Sequence, residues 1–483
     1  MYILRHLVMV ILLLAITNAE NVRDISGNAN LYYISKLSDG SIINLPFRMI
    51  ALDYSQSSDN IPYIEFRASA ALEYHMRNDT DFLIDSSTQD FIPDIREFYI
   101  TYLTRSGEIS IGKRIHAWGN VDENSPVDNV SSFDYFYLFN GGAERKLGTY
   151  GIAYDRFTPF GSYGLVFSPM HNTHRLPLEE SEFPVKLPIY PSDDEFLAIS
   201  DKPYEIGGYL NFNFSSMDLR ISGFSGYDRT FNLSGVNVFG INGDLSNPRV
   251  DIVYGYRRTD VIGSGLTMFI GDLSLRADAG YFSTTDMNSE DDILNKPYSI
   301  DPSNSIFTPE LSYYLNERST YYQGTLQFEY NLPMDIKIMG QYFTYDTLSY
   351  SSESLPIEDD IDITNVEIAV DDLDPKKLFT PGMGAPIAVL GKSIMLYSVE
   401  KSFLNNNINL SLSGIIDLSR LNDNESTGML FNVDTEYQLR EDFYITFGLT
   451  YINGNTNHSD GDGYRFNQME DFSHIRSEIK YYF

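Results

Sequence analysis

The chain contains 483 residues, and its 67 acidic residues outnumber its 34 basic ones, so the formal net charge is −33. A charge of this sign repels phosphate backbones and argues against nucleic acid as a partner. The absence of cysteine excludes disulfide frameworks, cysteine-ligated metal sites and thiol nucleophiles. A hydrophobic content of 42% is too high for a disordered acidic chain. Only one long apolar run occurs, which excludes a helical membrane bundle.

The N-terminal segment has the features of a secretory signal peptide. Arg5 precedes an apolar run at 7–16, and small residues occupy the −3 and −1 positions of a cleavage site after Ala19. The run is too short to span a bilayer, so an uncleaved anchor helix is the less favoured alternative. We therefore predict a signal peptide at 1–19 and one exported domain at 20–483, without a lipid anchor because no cysteine is present.

Most of the remaining chain alternates apolar and polar residues with the period of two that is typical of β-strands. Clear examples lie at 273–281, 326–330, 408–412 and 443–451. A soluble sandwich also alternates, but its strands are shorter and its turns are more evenly spaced. The segments here run for about ten to fourteen residues, which is the length that a tilted strand needs to cross a bilayer. The pattern predicts an all-β protein with transmembrane strands.

Short and long connections alternate along the chain, which is the asymmetry of a transmembrane barrel. Tight turns are predicted at 106–107, 159–161, 215–216, 271–272, 332–333 and 440–442. Long loops are predicted near 77–93, 119–146, 170–203, 228–249, 285–317, 348–386 and 454–470. We predict an antiparallel up-and-down barrel of about 18 strands, with tight periplasmic turns and long extracellular loops. A barrel of about 16 strands is the alternative, because 28–54 and 250–270 are ambiguous.

The last predicted strand also fits a membrane barrel. The segment 475–482 alternates an apolar face with a charged face, and Phe483 follows it. This pattern is similar to the C-terminal strand by which bacterial outer-membrane barrels are recognised for assembly. It predicts outer-membrane lipid and the barrel-assembly machinery as partners, and the bacterial outer membrane as the location. The last strand of a soluble sandwich is the alternative.

Three segments carry a resemblance to a known group of proteins. The first covers a strand and loop at 109–136 and contains the motifs Gly112-Lys113-Arg114, Trp118-Gly119 and Pro126-Val127-Asp128. The second is 257–281, with its Gly-Asp turn, and the third is the final hairpin at 442–483. These segments resemble uncharacterised bacterial outer-membrane barrels that are distantly similar to alginate-export-type porins. The resemblance implies a transport barrel of unspecified cargo.

The single tryptophan, Trp118, follows a predicted strand and allows two interpretations. An aromatic residue at a strand end is typical of the girdle at a membrane interface. Alternatively, the segment folds inward and constricts the pore, where its acidic residues could bind a cation. The constriction-loop candidates are Trp118, Asp122 and Asp128.

Strand alternation points a mixed set of polar side chains into the lumen. The pore-lining candidates among them are Arg114, Arg220, Arg276, Asp278, Glu329 and Lys337. Gln327, Gln341, Arg476, Glu478 and Lys480 point inward by the same alternation. Because both signs occur, the set predicts weak ion selectivity or a transverse field between basic and acidic walls. The alternative is that these side chains pair with one another and fill the lumen.

Acidic residues are concentrated in two predicted loops, at 346–374 and 285–317. They are either solvated surface charge or a negative mouth that attracts cations. A hydrolase would use histidine, and the candidates for that role are His171, His174, His458 and His474. No helix pattern holds the histidine pair at 171 and 174, so we expect no catalytic, cofactor-binding or metal site.

The sequence favours a porin-like outer-membrane channel, monomeric or trimeric, for the passive diffusion of small polar or amphipathic solutes. It is not expected to be an enzyme. The alternative is a barrel that acts as an adhesin, a receptor or a partner in a secretion complex through its acidic loops. A surface hydrolase is the third hypothesis. The solute and the direction of transport are not predicted.

Overall fold

A computed structural model describes residues 21–58, 61–75, 91–139, 144–178, 180, 182–185, 203–241, 244–286, 307–352, 361–363, 366–368, 379–419, 427–455 and 461–483. The predicted signal peptide at 1–19 lies outside these residues and stays a prediction. Among the described residues, no helix has the length and hydropathy to cross a membrane.

The main element is an 18-stranded antiparallel sheet. Its strands, numbered in chain order, are β1 (Asn21–Lys36), β2 (Phe47–Ser58), β3 (Ile61–Tyr74), β4 (Phe91–Thr104), β5 (Gly107–Arg114), β6 (Thr149–Thr158), β7 (Gly161–Ser168), β8 (Glu205–Asn213), β9 (Met217–Tyr227), β10 (Arg258–Ile270), β11 (Leu273–Asp286), β12 (Glu317–Leu332), β13 (Ile336–Ser351), β14 (Ser393–Phe403), β15 (Ile408–Asp417), β16 (Met429–Arg440), β17 (Phe443–Asn453) and β18 (His474–Tyr482). Each strand pairs with the next, and β18 pairs with β1. The sheet is therefore a closed up-and-down barrel, and the predicted count of 18 strands is confirmed.

The two ambiguous segments have simple explanations. In 28–54, β1 ends at Lys36 and β2 begins at Phe47, so the segment contributes to two strands. In 250–270, the barrel strand β10 begins only at Arg258. The preceding residues belong to Asp244–Gly255, which pairs with Asn232–Ile241 in a separate three-stranded sheet. The alternative count of 16 is therefore wrong.

The alternating sequence explains why the strands form a barrel with an apolar exterior. Large apolar side chains are exposed on alternate residues, among them Ile111, Leu165, Ile262, Leu326 and Phe447. A soluble protein would bury these side chains, but in a closed barrel they form the surface that faces lipid. The residues between them point inward and are mostly polar or small.

Connections at one end of the barrel are short, and those at the other end are long. Each of the predicted tight turns leads from an even-numbered strand into the next odd-numbered one. Gly271 shows why glycine is favoured in such a turn. Its φ of +60° lies in the left-handed region, which glycine adopts more easily than other residues. The first residue of β1 and the last residue of β18 both lie at the tight-turn end of the barrel.

The first and last strands close the barrel through a local fit of backbone and side chain. Gly27 of β1 donates a hydrogen bond from its N–H to the carbonyl of Phe483 at 2.8 Å, and the Phe483 N–H returns one to Gly27 at 3.0 Å. A Cβ at Gly27 would lie 2.5 Å from the Ala51 carbonyl and 2.8 Å from the Phe483 ring. Glycine at this position therefore lets the terminal aromatic residue lie against the strands.

Smaller elements lie in the long connections. The additional strands are Ser132–Phe133 with Lys146–Leu147, Phe307–Tyr314 in the three-stranded sheet, and Ile361–Ile363 with Val366–Ile368. The described helical turns are Tyr135–Tyr137, Pro386–Val389, Gly461–Gly463, Arg465–Met469 and Glu470–Phe472.

Two apolar clusters lie inside the long-loop half of the barrel. One joins inward residues such as Phe343 and Ile394 to loop residues such as Phe466 and Met469. The other joins Phe282, Tyr321 and Val261 to Trp118, Val130 and other loop residues. Burial of these side chains holds segments of the long loops against the inner wall.

Candidate functional site

The connection between β5 and β6 enters the barrel, and we call its residues 115–139 the inner loop. The backbone N–H groups of Asn120 and Val121 donate to one carboxylate oxygen of Asp278 on β11, at 2.8 and 3.0 Å. Asp278 is buried beneath the loop. A carboxylate that accepts two backbone hydrogen bonds fixes the position of the loop against this wall.

Two glutamines extend the attachment to the neighbouring strands. The Asp122 N–H donates to Oε1 of Gln327 on β12 at 2.9 Å, and Gln341 on β13 donates from Nε2 to the Asp122 carbonyl at 2.9 Å. Nδ2 of Asn124 donates to Oε1 of Gln341 at 2.8 Å. Thr325 Oγ1 donates to the Asn124 carbonyl at 2.7 Å. The loop therefore crosses the lumen from β5 and is bonded to β11, β12 and β13.

Trp118 lies at the start of this crossing and is buried, with 4% of its surface exposed. Its ring packs edge-on against Tyr209 of β8, with centroids 5.6 Å apart. Arg220 of β9 donates to the Trp118 carbonyl at 2.6 Å, and the Trp118 N–H donates to Asp128 at 3.0 Å. Asp128 in turn forms an ion pair with Lys146. The tryptophan therefore lies inside the barrel. This position differs from the girdle interpretation, in which Trp118 would face lipid, because inward-facing residues of the barrel cover its ring.

Inward-facing glycines make room for the loop. A Cβ at Gly207 of β8 would lie 2.7 Å from the Trp118 ring, and one at Gly263 of β10 would lie 2.4 Å from Val127. A Cβ at Gly265 would lie 2.5 Å from Asp278 and 3.0 Å from Asn120. All of these distances are shorter than van der Waals contact, so only glycine lets the loop lie this close to the wall.

The sequence-predicted pore-lining residues all lie on the inward face, and most form ion pairs. Arg114 lies 3.1 Å from Glu108 and 3.6 Å from Asp155. Arg276 lies 2.8 Å from Asp122 of the inner loop and 3.4 Å from Glu329. Lys337 lies 3.3 Å from Glu329 and is 47% exposed.

These contacts connect Arg276, Asp122, Glu329 and Lys337 into one chain of charges at the tip of the inner loop. Arg220 instead bonds the Trp118 carbonyl, and Asp278 lies beneath the loop. The lining and constriction roles of the candidate residues remain predictions.

A buried arginine attaches the loop at its other end. Arg229, which follows β9, is 1% exposed and lies 2.8 Å from Glu205 of β8. The same guanidinium donates to the carbonyls of Asn129 at 2.8 Å, Val130 at 3.2 Å and Asn172 at 2.7 Å. Its planar fork of donors can satisfy several acceptors at once, so one residue joins two loops to the wall.

Burial shifts the pKa values of titratable groups in these loops. Burial, helped by the neighbouring cations Arg114 and Lys146, lowers the pKa of His116 to about 3. Burial also lowers the pKa of His171 to about 3 and that of His174 well below its usual value. The carboxyl pKa of Asp134 is raised to about 6 by burial, against the opposing effect of Arg175. The three histidines are therefore neutral at pH 7.

Comparisons with known proteins give a similarity of fold. No family model matches the chain, and no curated protein matches it. Among solved structures, the chain is similar to OccAB1 of Acinetobacter baumannii at a TM-score of 0.48 and 8% identity, over 96% of each chain. It is similar to the outer membrane protein opdK of Pseudomonas aeruginosa at 0.47 and 9%, over 96% of this chain and 99% of that one. OmpF of Salmonella typhi gives 0.41 and 9%, over 97% and 99%.

The chain is an outer-membrane β-barrel. This conclusion depends on the closed 18-stranded sheet and its apolar exterior. The similarities above describe the fold and carry no further argument. These comparisons do not show a relation to alginate-export-type porins. The resemblance of 109–136, 257–281 and 442–483 to those porins therefore stays a prediction.

The histidines that a hydrolase would use are engaged with the backbone. Nδ1 of His174 accepts a hydrogen bond from the Phe133 N–H at 2.9 Å. His171 Nε2 lies 2.9 Å from the Asp228 carbonyl, and His474 Nδ1 lies 2.6 Å from the Phe472 carbonyl. His458 lies outside the described residues. Within the described part of the chain, no group of three or more metal-ligating side chains forms a cluster.

The two acidic loops, at 346–374 and 285–317, lie largely outside the described residues, which omit 353–360, 369–378 and 287–306. The negative mouth therefore stays a prediction. The adhesin, receptor or secretion-partner alternative gains no support from the described contacts.

Sequence reasoning missed the Arg229–Glu205 pair and the inward glycines Gly207, Gly263 and Gly265. The alternation of the sequence does not indicate this pair, because Glu205 is the first residue of β8 and Arg229 lies just after the end of β9. The glycines did leave a signal: Gly263 and Gly265 occupy successive inward positions of β10, where an ordinary strand would have side chains. An inward glycine pair is a signal that another backbone approaches closely.

Across the lumen from segment 118–124 of the inner loop lies a second surface, which we call the facing wall: the inward faces of β14–β18 and β1–β4. In a ring of 18 strands, β2 is diametrically opposite β11, to which the loop is bonded. Water-exposed polar residues occur on this wall, including Asp24, Ser26 and Asp53. A hollow of about 340 Å³ lies against β1–β4, and another of about 280 Å³ lies beside the loop at Asn120 and Arg220.

Proposed function

We propose that the barrel is a porin-like channel through which small polar solutes diffuse passively across the outer membrane. The observation that carries the proposal is the asymmetric lumen: segment 118–124 of the inner loop is bonded to one wall, the two ends of the loop reach Glu97 and Glu73 of the facing wall, and the rest of the facing wall keeps water-exposed polar residues. A loop that occupied the lumen evenly would leave no such face. Solutes pass between the loop and the facing wall, and the loop sets the width of the path.

The polar lining favours hydrated solutes. Charged and hydroxylated side chains such as Asp53, Ser55 and Arg67 replace part of the hydration shell of a passing solute. Apolar solutes gain little on such a surface. Amphipathic solutes remain within the proposal, because aromatic side chains such as Tyr209 also line the lumen. The direction of net flow follows the concentration gradient.

Planar-bilayer recording of the folded protein tests the proposal. We expect discrete conductance steps, and swelling of proteoliposomes in small sugars but not in large ones. The double variant Gln327→Ala with Gln341→Ala removes two attachments of the inner loop, so we expect a larger or noisier conductance.

Thr320→Ala is the matched control, because Thr320 lies on the outward face of β12 and bonds Ser349. It should leave the conductance unchanged. If correctly folded protein gives no current above the lipid background, the proposal is wrong.

A further inference from the structure

The facing wall carries more acid than base. Its inward positions follow from the pairing register, because each lies beside an inward neighbour and alternates with an outward apolar residue. The acidic members include Asp24, Asp53, Glu65, Glu73, Asp94, Glu97, Glu400, Asp434, Glu436 and Glu478. The basic members are Lys36, Arg48, Arg67, Arg96, Arg476 and Lys480.

Each of these bases has an acidic partner. At the long-loop end, Lys36 lies 2.7 Å from Asp471, Arg48 lies 3.9 Å from Glu73, and Arg96 lies 3.3 Å from Asp94. Deeper in the barrel, Arg67 lies 3.7 Å from Glu65, Lys480 lies 3.4 Å from Glu478, and Arg476 forms an ion pair with Asp434. The bases are therefore neutralised locally and leave the remaining carboxylates uncompensated.

Several acids of the facing wall make no ion pair within the described part of the chain. Asp24, Asp53, Glu97, Glu400 and Glu436 belong to this group. Three of them, Asp24, Asp53 and Glu97, line the hollow of about 340 Å³ against β1–β4. Glu97 accepts a hydrogen bond from the Ile115 N–H at 2.7 Å, which holds its carboxylate at the base of the inner loop.

The opposite wall also carries more acid than base, but several of its acids are paired or covered: Glu205 pairs with Arg229, Glu317 pairs with Arg257, and Asp278 lies buried beneath the inner loop. Arg276 and Lys337 flank Glu329, Arg276 also contacts Asp122, and Arg220 lies on the same side as Asp218. Asp24 and Asp53, by contrast, are water-exposed acids without an ion pair within the described part of the chain, and they lie on the wall along which the proposed path runs. This distribution differs from the evenly mixed lining that predicts weak selectivity.

We propose that the channel prefers cations over anions, and that Asp24, Asp53 and Glu97 determine this preference. The proposal rests on the proposed channel function and concerns ion flow, so it requires no bound ion. Uncompensated carboxylates in a confined passage raise the local concentration of cations and exclude anions. The effect reaches about 10 Å at 0.1 M salt.

The reversal potential of the full mature protein in planar bilayers, under a KCl gradient, tests the proposal. We expect potassium to be more permeant than chloride for the unaltered chain. The triple variant Asp24→Asn, Asp53→Asn and Glu97→Gln should lower the permeability ratio by about twofold or more. Each amide keeps the size of the side chain, and the amide oxygen introduced by Glu97→Gln can still accept the hydrogen bond from Ile115.

The matched control removes the same charge outside the lumen. Asp260→Asn, Asp272→Asn and Glu441→Gln change exposed acids on the outer face or in tight turns, and should leave the ratio unchanged. A ratio at or below one for the unaltered chain, or an unchanged ratio in the triple variant, overturns the inference while the channel function stands. No current from folded protein overturns both.

A second measurement needs no variant. Because the screening length falls to about 3 Å at 1 M salt, the selectivity of the unaltered chain should shrink between 0.1 M and 1 M KCl. A preference for potassium that stays constant with salt would contradict control by fixed lumen charge.

Discussion

At the scale of single residues, the position of the inner loop depends on glycines in the barrel wall as well as on the side chains that bond the loop. Gly207, Gly263 and Gly265 remove the Cβ atoms that would otherwise separate the loop from the wall. Asp278 then reaches two backbone N–H groups of the loop directly. Small residues in the wall and a carboxylate beneath the loop thus act together.

Gly263→Ala should loosen the inner loop. The added Cβ would lie 2.4 Å from Val127 and 2.9 Å from Ser222, so the loop must move. Overpacking of this kind costs about 1–3 kcal/mol, and each 1.4 kcal/mol is about tenfold in an equilibrium. Hydrogen exchange of segment 118–130 should therefore be about tenfold faster or more.

The matched control for this change is Gly324→Ala. The nearest atom to a Cβ there, the Asp278 carbonyl oxygen, lies 4.0 Å away. Exchange in the inner loop should then equal that of the unaltered chain. Equal exchange in Gly263→Ala as well would show that the loop does not lie against β10.

At the scale of elements, buried histidines make the attachment of the loops sensitive to acid. His174 accepts a hydrogen bond from Phe133, packs on the rings of Phe133 and Tyr135, and lies near Arg229. Protonation would remove the acceptor and add a charge beside a cation. Its pKa in the attached loop is therefore well below the ordinary value.

Attachment of the inner loop should weaken as the pH falls below about 6.5, the unperturbed pKa of histidine, because His116, His171 and His174 all have lowered pKa values in the attached state. A detached His174 takes up a proton in this range and an attached one does not, so the attached state loses about 2 kcal/mol from this residue by pH 5. Asp134 and Asp228, with carboxyl pKa values raised to about 6, act with the opposite sign as they protonate.

The variant His174→Asn isolates the contribution of the histidine. Its amide oxygen can accept the Phe133 hydrogen bond but does not titrate. Hydrogen exchange of segment 118–139, corrected for intrinsic rates, should accelerate less between pH 7.5 and pH 5 in this variant than in the unaltered chain. Identical pH profiles would remove His174 as the acid-sensitive group.

At the scale of the whole molecule, the barrel was predictable from the sequence and the path of the inner loop was not. Alternation and turns are local patterns, so the strands around 273–281 and 443–451 and the turn at 271–272 could be read directly. The loop instead depends on contacts between residues that are 157 to 219 positions apart. Strand alternation identified Gln327 and Gln341 as inward, but it contains no information on which loop they bind.

The central claim is that ions pass inside the barrel along the facing wall, and thiol modification tests it most directly. The chain has no cysteine, so each introduced thiol is the only target. Ser411→Cys and Glu436→Cys lie on the inward faces of β15 and β16, and Leu410→Cys and Thr435→Cys are their outward neighbours. A bulky, charged methanethiosulfonate reagent should reduce the single-channel current through the two inward variants and leave the two outward variants unchanged. An unchanged current in all four, or the same reduction on both faces, would contradict the account.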